Sequence, residues 1–469
     1  MLVRFAVANF DTFAAQTEVS LLATDPADHK GLPLIAGFGG EEMIPGPKWH
    51  LLLPFILIVG ARESPVGSLN PVVKSMKRHI ALSSRPSANG KLRISEFRKR
   101  SAPIPDKPTQ FEVDVVRRRT RYRYGFTFND DRYEAEWLYR LDGDSKEILF
   151  RRNGNAMEMV EELAKEGEEL RGRLGSRTLA LSAVQQSNSL LRQIRRQLVL
   201  FRIIGSEDDA RMQQRIAGRW DKRLLPFLQL VDTEICGYGP SKQKPGDGAA
   251  QASAVEFIYK RALSGRRRVP FEESPEQLRR WLYLLTCAFL AIDAGSVLFV
   301  DKIDSMVGEE LAKRTLDLFS DWRLNWAHAQ LVATSDTFDL VQSPIVRRDQ
   351  IWIEQGRPDG STAIYPLSAV EPLNPEPRMP GELEGLHGKI AIPAEGQSLF
   401  SADLGWSPPV LHKNVIGRTH NGRRLWSFRK RIRMLVSLCK WFANHPEVPE
   451  DERKRIVRTQ WSRFKARLQ

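Results

Sequence analysis

The hydrophobic pattern along the chain predicts strands that alternate with helices. Two short and continuously apolar runs, 55–59 and 297–300, and the segment 330–333, which is apolar after Gln330, read as buried strands, as in a parallel sheet. Helical periodicity is expected at 72–82 and at 279–294. Because alternating strands and helices build a mainly parallel sheet, the pattern predicts an α/β fold.

A second pattern predicts a smaller antiparallel sheet beside the first. Apolar and polar residues alternate with the period of a strand over 109–140. The tract 155–235 is rich in Glu, Leu, Arg and Gln and is expected to be mostly helical, and 240–250 is typical of a flexible connection. The predicted organisation has an N-terminal part of the α/β unit, a helical insertion, a C-terminal part of that unit and a basic helical extension, at 1–150, 151–250, 251–395 and 396–469.

Positive charge is concentrated near the end of the chain. The formal net charge is +14, and 411–469 contains 16 Lys/Arg against 4 Asp/Glu, with tryptophans and phenylalanines between them. Such a stretch suits the phosphates and bases of a nucleic acid. It suits equally a helical hairpin whose aromatic side chains pack on the rest of the protein. The basic residues that would contact a nucleic acid are Arg423, Arg424, Arg429, Lys430, Arg431 and Arg433.

A second basic feature lies in the predicted antiparallel sheet. Arg117, Arg119, Arg121 and Arg123 alternate, so that on one strand they would share one face. The pattern fits a phosphate-binding stripe, and it fits the solvated face of an exposed sheet.

Cysteine usage indicates a reducing compartment. Cys236, Cys287 and Cys439 are far apart and form no CxxC pair, so neither a disulfide framework nor a zinc site is expected. The eight histidines show no metal-binding spacing, and no metal site is predicted. The chain begins without the pattern of a signal peptide, and polar residues interrupt the apolar run 281–300. We therefore expect a cytoplasmic protein that does not contact a membrane, with a helix, a turn and a strand in that run.

The first candidate for chemistry follows the strand at 55–59. A buried strand that ends in glycine, then a loop, then a helix, is where a phosphate-binding loop lies. A working loop reads GxxxxGK[ST], but here Pro65 replaces the second glycine and removes an N–H donor, and Val66 replaces the lysine. Taken alone, the segment also fits an ordinary strand-to-helix turn. The residues that would line this degenerate nucleotide site are Gly60, Ala61, Arg62, Ser64, Gly67 and Ser68.

The second candidate follows the strand at 297–300. Four apolar residues before Asp301 have the form of a strand whose aspartate helps to hold Mg²⁺ in nucleotide-hydrolysing proteins. Gly60 and Asp301 are accordingly expected at the ends of adjacent strands. The next residue, where an acid would orient the attacking water, is Lys302, a cation that cannot act as that base. The same pattern also occurs in ordinary buried strands.

The order of these pieces resembles the ABC-type AAA ATPases of the OLD-like class, which are encoded in bacterial defence and retron-like operons. The resemblance covers 1–395. It implies an ABC-ATPase-like P-loop head with a mainly parallel sheet, an antiparallel side sheet, a helical insertion and a basic helical C-terminal extension. The framework motifs of the family are matched by Asn9-Phe10-Asp11-Thr12-Phe13, Tyr122-Arg123-Tyr124-Gly125-Phe126, Glu136-Trp137-Leu138-Tyr139 and Arg348-Asp349-Gln350-Ile351-Trp352.

The departures from the family fall on the residues that carry its chemistry. The signature, Ser-x-Gly-x-x-Arg in the family, begins here at Ser274, but Glu276 replaces the glycine that approaches the γ-phosphate of a nucleotide on the opposite protomer. Ser335 replaces the switch histidine. Removing one transition-state-stabilising group typically costs about two or three orders of magnitude in rate. The loss of several predicts no useful turnover, although such effects are not additive.

The leading hypothesis is a catalytically inactive homologue that acts as a scaffold or regulatory subunit and needs no cofactor. Its expected partner is a protein such as an active ATPase or an effector encoded beside it, or a second copy of the chain. One alternative is a divergent ATPase that binds ATP and Mg²⁺ and uses Lys74 or Arg62 for the missing lysine. Another is a protein that binds nucleic acid through the basic extension.

Overall fold

Four β-sheets and a set of mostly short helices make up the part of the chain that the computed structural model describes. The described residues all belong to one compact unit, Met1–Trp406. They are 1–24, 34–38, 50–60, 69–85, 107–142, 145–154, 156–185, 189–205, 209–241, 255–260, 265–357 and 360–369.

The strands are numbered in chain order. They are β1 (Leu2–Ala8), β2 (Thr17–Ser20), β3 (Ile35–Phe38), β4 (His50–Leu52), β5 (Phe55–Gly60), β6 (Thr109–Arg117), β7 (Thr120–Phe128), β8 (Tyr133–Asp142), β9 (Ser145–Asn153), β10 (Ala156–Met159), β11 (Arg202–Ile204), β12 (Ile235–Pro240), β13 (Val255–Lys260), β14 (Arg266–Pro270), β15 (Val297–Val300), β16 (Gln330–Ser335), β17 (Ile351–Gly356) and β18 (Thr362–Pro366).

The helices are numbered in the same way. They are α1 (Leu69–Leu82), α2 (Ala164–Arg171), α3 (Ala180–Ala183), α4 (Leu190–Val199), α5 (Asp209–Ile216), α6 (Leu225–Leu228), α7 (Glu276–Ala294), α8 (Ile303–Val307) and α9 (Glu309–Ser320). Single 3₁₀ turns lie at Glu161–Leu163, Lys222–Leu224, Phe271–Glu273, Asp339–Gln342, Arg348–Gln350 and Leu367–Ala369.

The core sheet has the strand order β11-β15-β16-β5-β17-β18. Its first five strands are parallel, and only β18 runs antiparallel to its neighbour β17. The predicted α/β class with a mainly parallel sheet is therefore confirmed. The expectation that Gly60 and Asp301 end adjacent strands is wrong, because β16 lies between β5 and β15. The apolar pattern identifies buried strands, but it carries no information about which strand lies next to which.

Burial on both faces explains the continuous apolar runs. In β5, Phe55, Leu57 and Val59 belong to one hydrophobic cluster, with α7 and α9, whereas Ile56 and Ile58 belong to a second cluster, with α1 and the antiparallel sheet. All five side chains have no exposed surface. Each face of the core sheet is thus covered by its own layer.

The antiparallel side sheet has the order β10-β9-β8-β7-β6-β1-β2, which confirms the predicted strands within 109–140. The four alternating arginines do not share one strand. A tight turn at Arg118 and Arg119, both with positive φ (49° and 67°), separates Arg117 on β6 from Arg121 and Arg123 on β7. The last two donate hydrogen bonds to the buried carboxylate of Asp114. The single-face stripe is therefore wrong, because the turn falls inside the run.

The tract expected to be mostly helical contains short helices and also strands. Within it, β10 extends the side sheet, and β11 pairs in parallel with β15 at the edge of the core sheet. A three-residue strand that begins with Arg202 leaves no recognisable period in the sequence. Most of the predicted connection at 240–250 lies outside the described residues.

The apolar run 281–300 forms the predicted helix, turn and strand. Helix α7 ends at Gly295 in the left-handed conformation (φ 57°), and β15 follows two residues later. Across the described ranges, none of the helices combines the length and apolar character needed to cross a bilayer.

One close cross-strand contact explains two of the framework motifs. Gly125 on β7 lies opposite Trp137 on β8, and the indole ring covers the glycine. A Cβ atom on Gly125 would lie 2.4 Å from Cζ2 of that ring. The indole Nε1 donates a hydrogen bond to Glu112 (3.1 Å), which anchors the ring in this position. Only glycine leaves room for it.

We predict that Gly125→Ala lowers the free energy of unfolding by about 1–3 kcal/mol, because the added methyl group overpacks the contact. The matched control is Gly239→Ala on β12, where the space around the added atom is open and the change should stay within about 0.5 kcal/mol. Urea unfolding followed by circular dichroism measures both. Equal stability of Gly125→Ala and the parent protein would contradict the packing described.

Candidate functional site

Four parallel strands end at the same edge of the core sheet. Their register places Ile204 beside Val300, Val300 beside Ala333, and Ser335 beside Val59. The residues that follow these strands therefore meet at one edge. In open α/β sheets, ligands bind in the crevice outside the carboxyl ends of the strands.

Asp301 is held at this edge by its neighbours on both sides. Its backbone N–H donates to the carbonyl of Ile204 (3.1 Å), which also accepts from the side-chain amide of Asn70 at the start of α1 (2.9 Å). Its Oδ1 accepts a hydrogen bond from the Thr334 hydroxyl (2.8 Å). That hydroxyl in turn accepts from the backbone N–H of Lys302 (2.7 Å). The aspartate is thus positioned by the ends of β11 and β16.

Asp304 in α8 fixes the segment that follows β16. Its Oδ2 accepts from the backbone N–H groups of Asp336 and Thr337 (both 3.0 Å) and lies 3.1 Å from the Thr337 hydroxyl. The Ser335 hydroxyl lies 2.8 Å from the same oxygen and 2.8 Å from the carbonyl oxygen of Thr337. The hydroxyl of Ser335 is therefore engaged by Asp304 and by its own loop.

Lys302 completes the cluster with an ion pair. Its backbone adopts the left-handed conformation (φ 49°), and its Nζ lies 3.0 Å from Oδ1 of Asp336. The pKa of Lys302 is raised above its usual value, first by the hydrogen bond with Asp336, and further by the charges of Asp336, Asp301 and Asp304. Ser305 donates to the other oxygen of Asp336 (3.0 Å). A positive charge that is paired with Asp336 thus directly follows Asp301.

Ser274, the first residue of the signature-like segment, lies just before α7. Its side chain is buried, and its hydroxyl donates to the carbonyl of Pro270 (3.0 Å). Three residues later, the Gln277 amide donates to the carbonyl of Val307 at the end of α8 (3.1 Å). Glu276 pairs with Arg280 one turn further along α7. The segment is therefore tied to α8, but the contacts of Ser274 are separate from those of the Asp301 cluster.

The structure brings two of the predicted site residues to one edge. Gly60 ends β5 opposite Glu354 of β17, and Asp301 follows β15 at the same edge, with β16 between them. The other candidates of the phosphate loop, Ala61, Arg62, Ser64, Gly67 and Ser68, lie outside the described residues. So do the candidates for nucleic-acid contact, Arg423, Arg424, Arg429, Lys430, Arg431 and Arg433.

Sequence reasoning did not assign a role to Asp304, Thr334 or Asn70. Asp304 contacts residues 31 to 33 positions later, so no local pattern connects them. Thr334 stands at the end of a buried apolar strand, where a hydroxyl is a usable signal because a buried polar group needs a partner. Asn70 gave no signal, because a polar residue in the first turn of a helix is common.

The comparisons with known proteins give only a distant likeness. No protein-family model and no curated protein sequence matches the chain. The SMC head domain from Thermotoga maritima shares 12% identity at a TM-score of 0.36, and the match covers 79% of this chain and 99% of that one.

Two further solved structures give similar values. An Smc head bound to the C-winged helix domain of ScpA shares 11% identity at a TM-score of 0.36, with 78% and 96% covered. An Smc head with an extended coiled coil, bound to the C-terminal domain of ScpA derived from Pyrococcus furiosus, shares 12% at 0.36, with 78% and 95% covered. These values carry no information about activity or partners.

We predict that Asp304→Ala lowers the free energy of unfolding by about 2–4 kcal/mol, because it leaves the buried Ser335 hydroxyl and the partly buried N–H groups of Asp336 and Thr337 without their charged acceptor. The control is Lys302→Met, which removes a half-exposed ion pair and should cost no more than about 1 kcal/mol. Thermal unfolding of both variants measures the difference. If Lys302→Met is as destabilising as Asp304→Ala, the hydrogen bonds of Asp304 do not organise this edge.

Proposed function

We propose that this chain is an ABC-type ATPase homologue that does not hydrolyse ATP and acts as a scaffold or regulatory subunit. The observation that supports the proposal is the ion pair between Lys302 and Asp336 at the carboxyl edge of the core sheet. In working members of the resembled family, the residue after the metal-binding aspartate is the acid that orients water. Here that position holds a cation whose charge is paired within the protein.

Electrostatics explains why this change matters. Phosphoryl transfer is catalysed by positioned charge, with a phosphate-loop lysine, a metal ion and a water-orienting group acting together. Lys302 cannot accept a proton from water, and Ser335 is hydrogen-bonded to Asp304 and its own loop. Val66 supplies no positive charge for the terminal phosphate. Each of these groups contributes orders of magnitude to the catalytic rate in a working enzyme. Removing one such group typically lowers the rate by a factor of about 10²–10³.

The residues present are a poor match for Mg²⁺ and ATP. A divalent cation would need the free oxygens of Asp301, and the Lys302 ammonium is attracted to the same acidic cluster. The Thr334 hydroxyl already donates to Oδ1 of Asp301. The half-exposed Lys302 ammonium and a bound metal ion would compete for one set of carboxylates, so we derive no catalytic step through the nucleotide.

A scaffold role accounts for what is retained. The apolar strands β5, β15 and β16 keep the frame of the head, whereas the substitutions fall on its chemistry. We propose a protein partner, either an active ATPase or an effector encoded beside this chain in a defence operon, or a second copy of the chain. Co-purification with the products of neighbouring genes, and the mass of the purified chain in solution, test this part. A chain that remains a lone monomer in both experiments contradicts it.

The competing function is a divergent but active ATPase. It is favoured by the Asp301–Thr334 hydrogen bond, which holds an aspartate at the place where a metal ligand would stand. Lys74, proposed as a replacement for the missing lysine, lies on the exposed side of α1 in its second turn, and Arg62 lies outside the described residues. Measurement of ATP turnover separates the two functions.

We predict that the full-length protein hydrolyses ATP no faster than background, with or without Mg²⁺, in a steady-state phosphate-release assay. The matched variant is Asp301→Ala, which removes the only proposed metal ligand and should leave the signal unchanged. Mg²⁺-dependent turnover on the order of 1 s⁻¹, within the usual range of enzymes, that disappears in Asp301→Ala would establish the competing function.

A further inference from the structure

One flank of the described protein is built from segments that contain basic residues and no acidic ones. Segments 69–85 and 189–205 each contain four Lys/Arg and no Asp or Glu. Segment 115–119, at the turn between β6 and β7, adds three arginines and no acid. The three segments are far apart in the sequence, and the fold brings them together.

Hydrogen bonds connect these segments directly. Arg195 on α4 donates to the carbonyl of Ala81 at the end of α1 (3.0 Å), and Arg117 donates to the side chain of Gln193 on α4 (2.9 Å). Lys77 on α1 donates to the carbonyl of Phe201 just before β11 (2.5 Å). We call this surface the basic flank and define it by Lys77, Arg85, Arg117, Arg118, Arg192, Arg195, Arg196 and Arg202.

Among the described residues, the hydrogen bonds donated by the basic flank go to neutral acceptors. Lys77, Arg192 and Arg195 donate to backbone carbonyls, and Arg117 donates to an amide oxygen. A neutral acceptor fixes the side chain in place but does not cancel its charge. The basic flank is therefore a positively charged surface on which hydrogen bonds hold Lys77, Arg117, Arg192 and Arg195 in place.

Several arginines elsewhere in the described residues have acidic partners. Arg123 pairs with Asp114, Arg140 with Glu147 and Glu162, and Arg223 with Asp221 and Asp293. In those pairs the charge of the arginine is balanced within the protein. The hydrogen-bonded cations of the basic flank differ from these paired arginines, because they donate to neutral acceptors.

Mutual repulsion is the second property of the basic flank. Burial, together with the charges of Arg202 and Arg215, lowers the pKa of Lys77 to about 8. Burial also lowers the pKa of Arg195, and Arg192 and Arg85 add to the effect. Cations that lower one another's pKa repel one another. A bound anion relieves this repulsion, so its binding is favoured.

We propose that the basic flank binds the phosphate backbone of a nucleic-acid duplex. Guanidinium groups match the geometry of phosphate, and Arg192 and Arg196 stand one helical turn apart on α4, about 6 Å along its axis. Both are exposed, as is Arg85. The spacing of Arg192 and Arg196 along the helix suits the regular and closely spaced phosphates of a duplex.

The surroundings favour a duplex over a single strand or a lipid surface. The aromatic rings of these segments, His79 and Phe201, are buried, so the basic flank offers no platform for stacking unpaired bases. Of the large apolar side chains that are exposed among the described residues, Leu200 alone lies in the segments of the basic flank. One such side chain is too little apolar surface for insertion into a bilayer. The inference depends neither on the loss of ATP hydrolysis nor on the basic stretch 411–469.

The test compares two triple variants of the full-length chain. R85Q/R192Q/R196Q removes three exposed charges from the basic flank, and R132Q/R173Q/R323Q removes three exposed charges from elsewhere. Both have the same net charge and retain 411–469, so any difference between them reports on the basic flank. Binding of a fluorescent DNA duplex of about 30 base pairs is followed by anisotropy between 50 and 200 mM KCl, a range over which phosphate contacts weaken steeply.

The slope of log K against log[salt] should become shallower by about 2.7 in the flank variant, since each lost phosphate contact removes about 0.9. The control should keep the slope of the parent protein. R85K/R192K/R196K should also keep it, because lysine retains the charge, and this separates a charge effect from damage to the fold.

Three results would overturn the proposal. The first is equal affinity and equal slope for the flank variant and the control. The second is a full-length chain that does not bind the duplex at 50 mM KCl. The third is a flank variant that loses binding to poly-glutamate while its DNA binding is unchanged, which would assign the basic flank to an acidic protein.

Discussion

Burial of the central strands on both faces is the constraint on which the rest of the structure depends. The side chains of β5 alternate between two hydrophobic clusters, and those of β15 and β16 do the same. Each fully buried aliphatic or aromatic side chain contributes roughly 1.5–3 kcal/mol, so these strands have little freedom to shift in register. Their carboxyl ends are therefore fixed relative to one another, and any chemistry at that edge is decided by the few residues that follow each strand.

At that edge the acidic side chains are bound by other groups of the same protein. Asp304 binds the segment after β16 through two backbone N–H groups and two hydroxyls, and Lys302 pairs with Asp336. A ligand would have to replace these contacts or fit beside them. Lys302 and the 335–337 segment thus supply internal partners for Asp336 and Asp304. These contacts are consistent with the scaffold role that we propose, and the basic flank is a surface that we propose for binding.

The sequence predicts the parts of this picture that depend on local patterns. Continuous apolar runs identify β5, β15 and β16, because a strand buried on both faces has no polar side to interrupt it. The order of the strands could not be predicted, because period and burial do not encode neighbours, and β16 was not expected between Gly60 and Asp301. Strand β11 was missed because three residues are too few for a period.

Contacts between distant residues set the limit for the site as well. Lys302 was identified from the sequence because the resembled family has an acid at that position. The partners of Asp304 could not be identified in this way, because they lie 31 or more positions away. The basic flank combines segments from three parts of the chain, so no local pattern indicates it. The prediction that four arginines share one face was wrong because a tight turn divides the run.

The central claim is that the carboxyl edge of the core sheet is closed by its own ion pair and hydrogen bonds. A crystal structure of the full-length chain, grown with Mn²⁺ and a non-hydrolysable ATP analogue, tests it most directly through the anomalous signal of the metal. We expect the Lys302–Asp336 pair and the contacts of Asp304 to be retained, with no metal peak at Asp301. A manganese ion bound to Asp301, with Lys302 displaced from Asp336, would contradict the account.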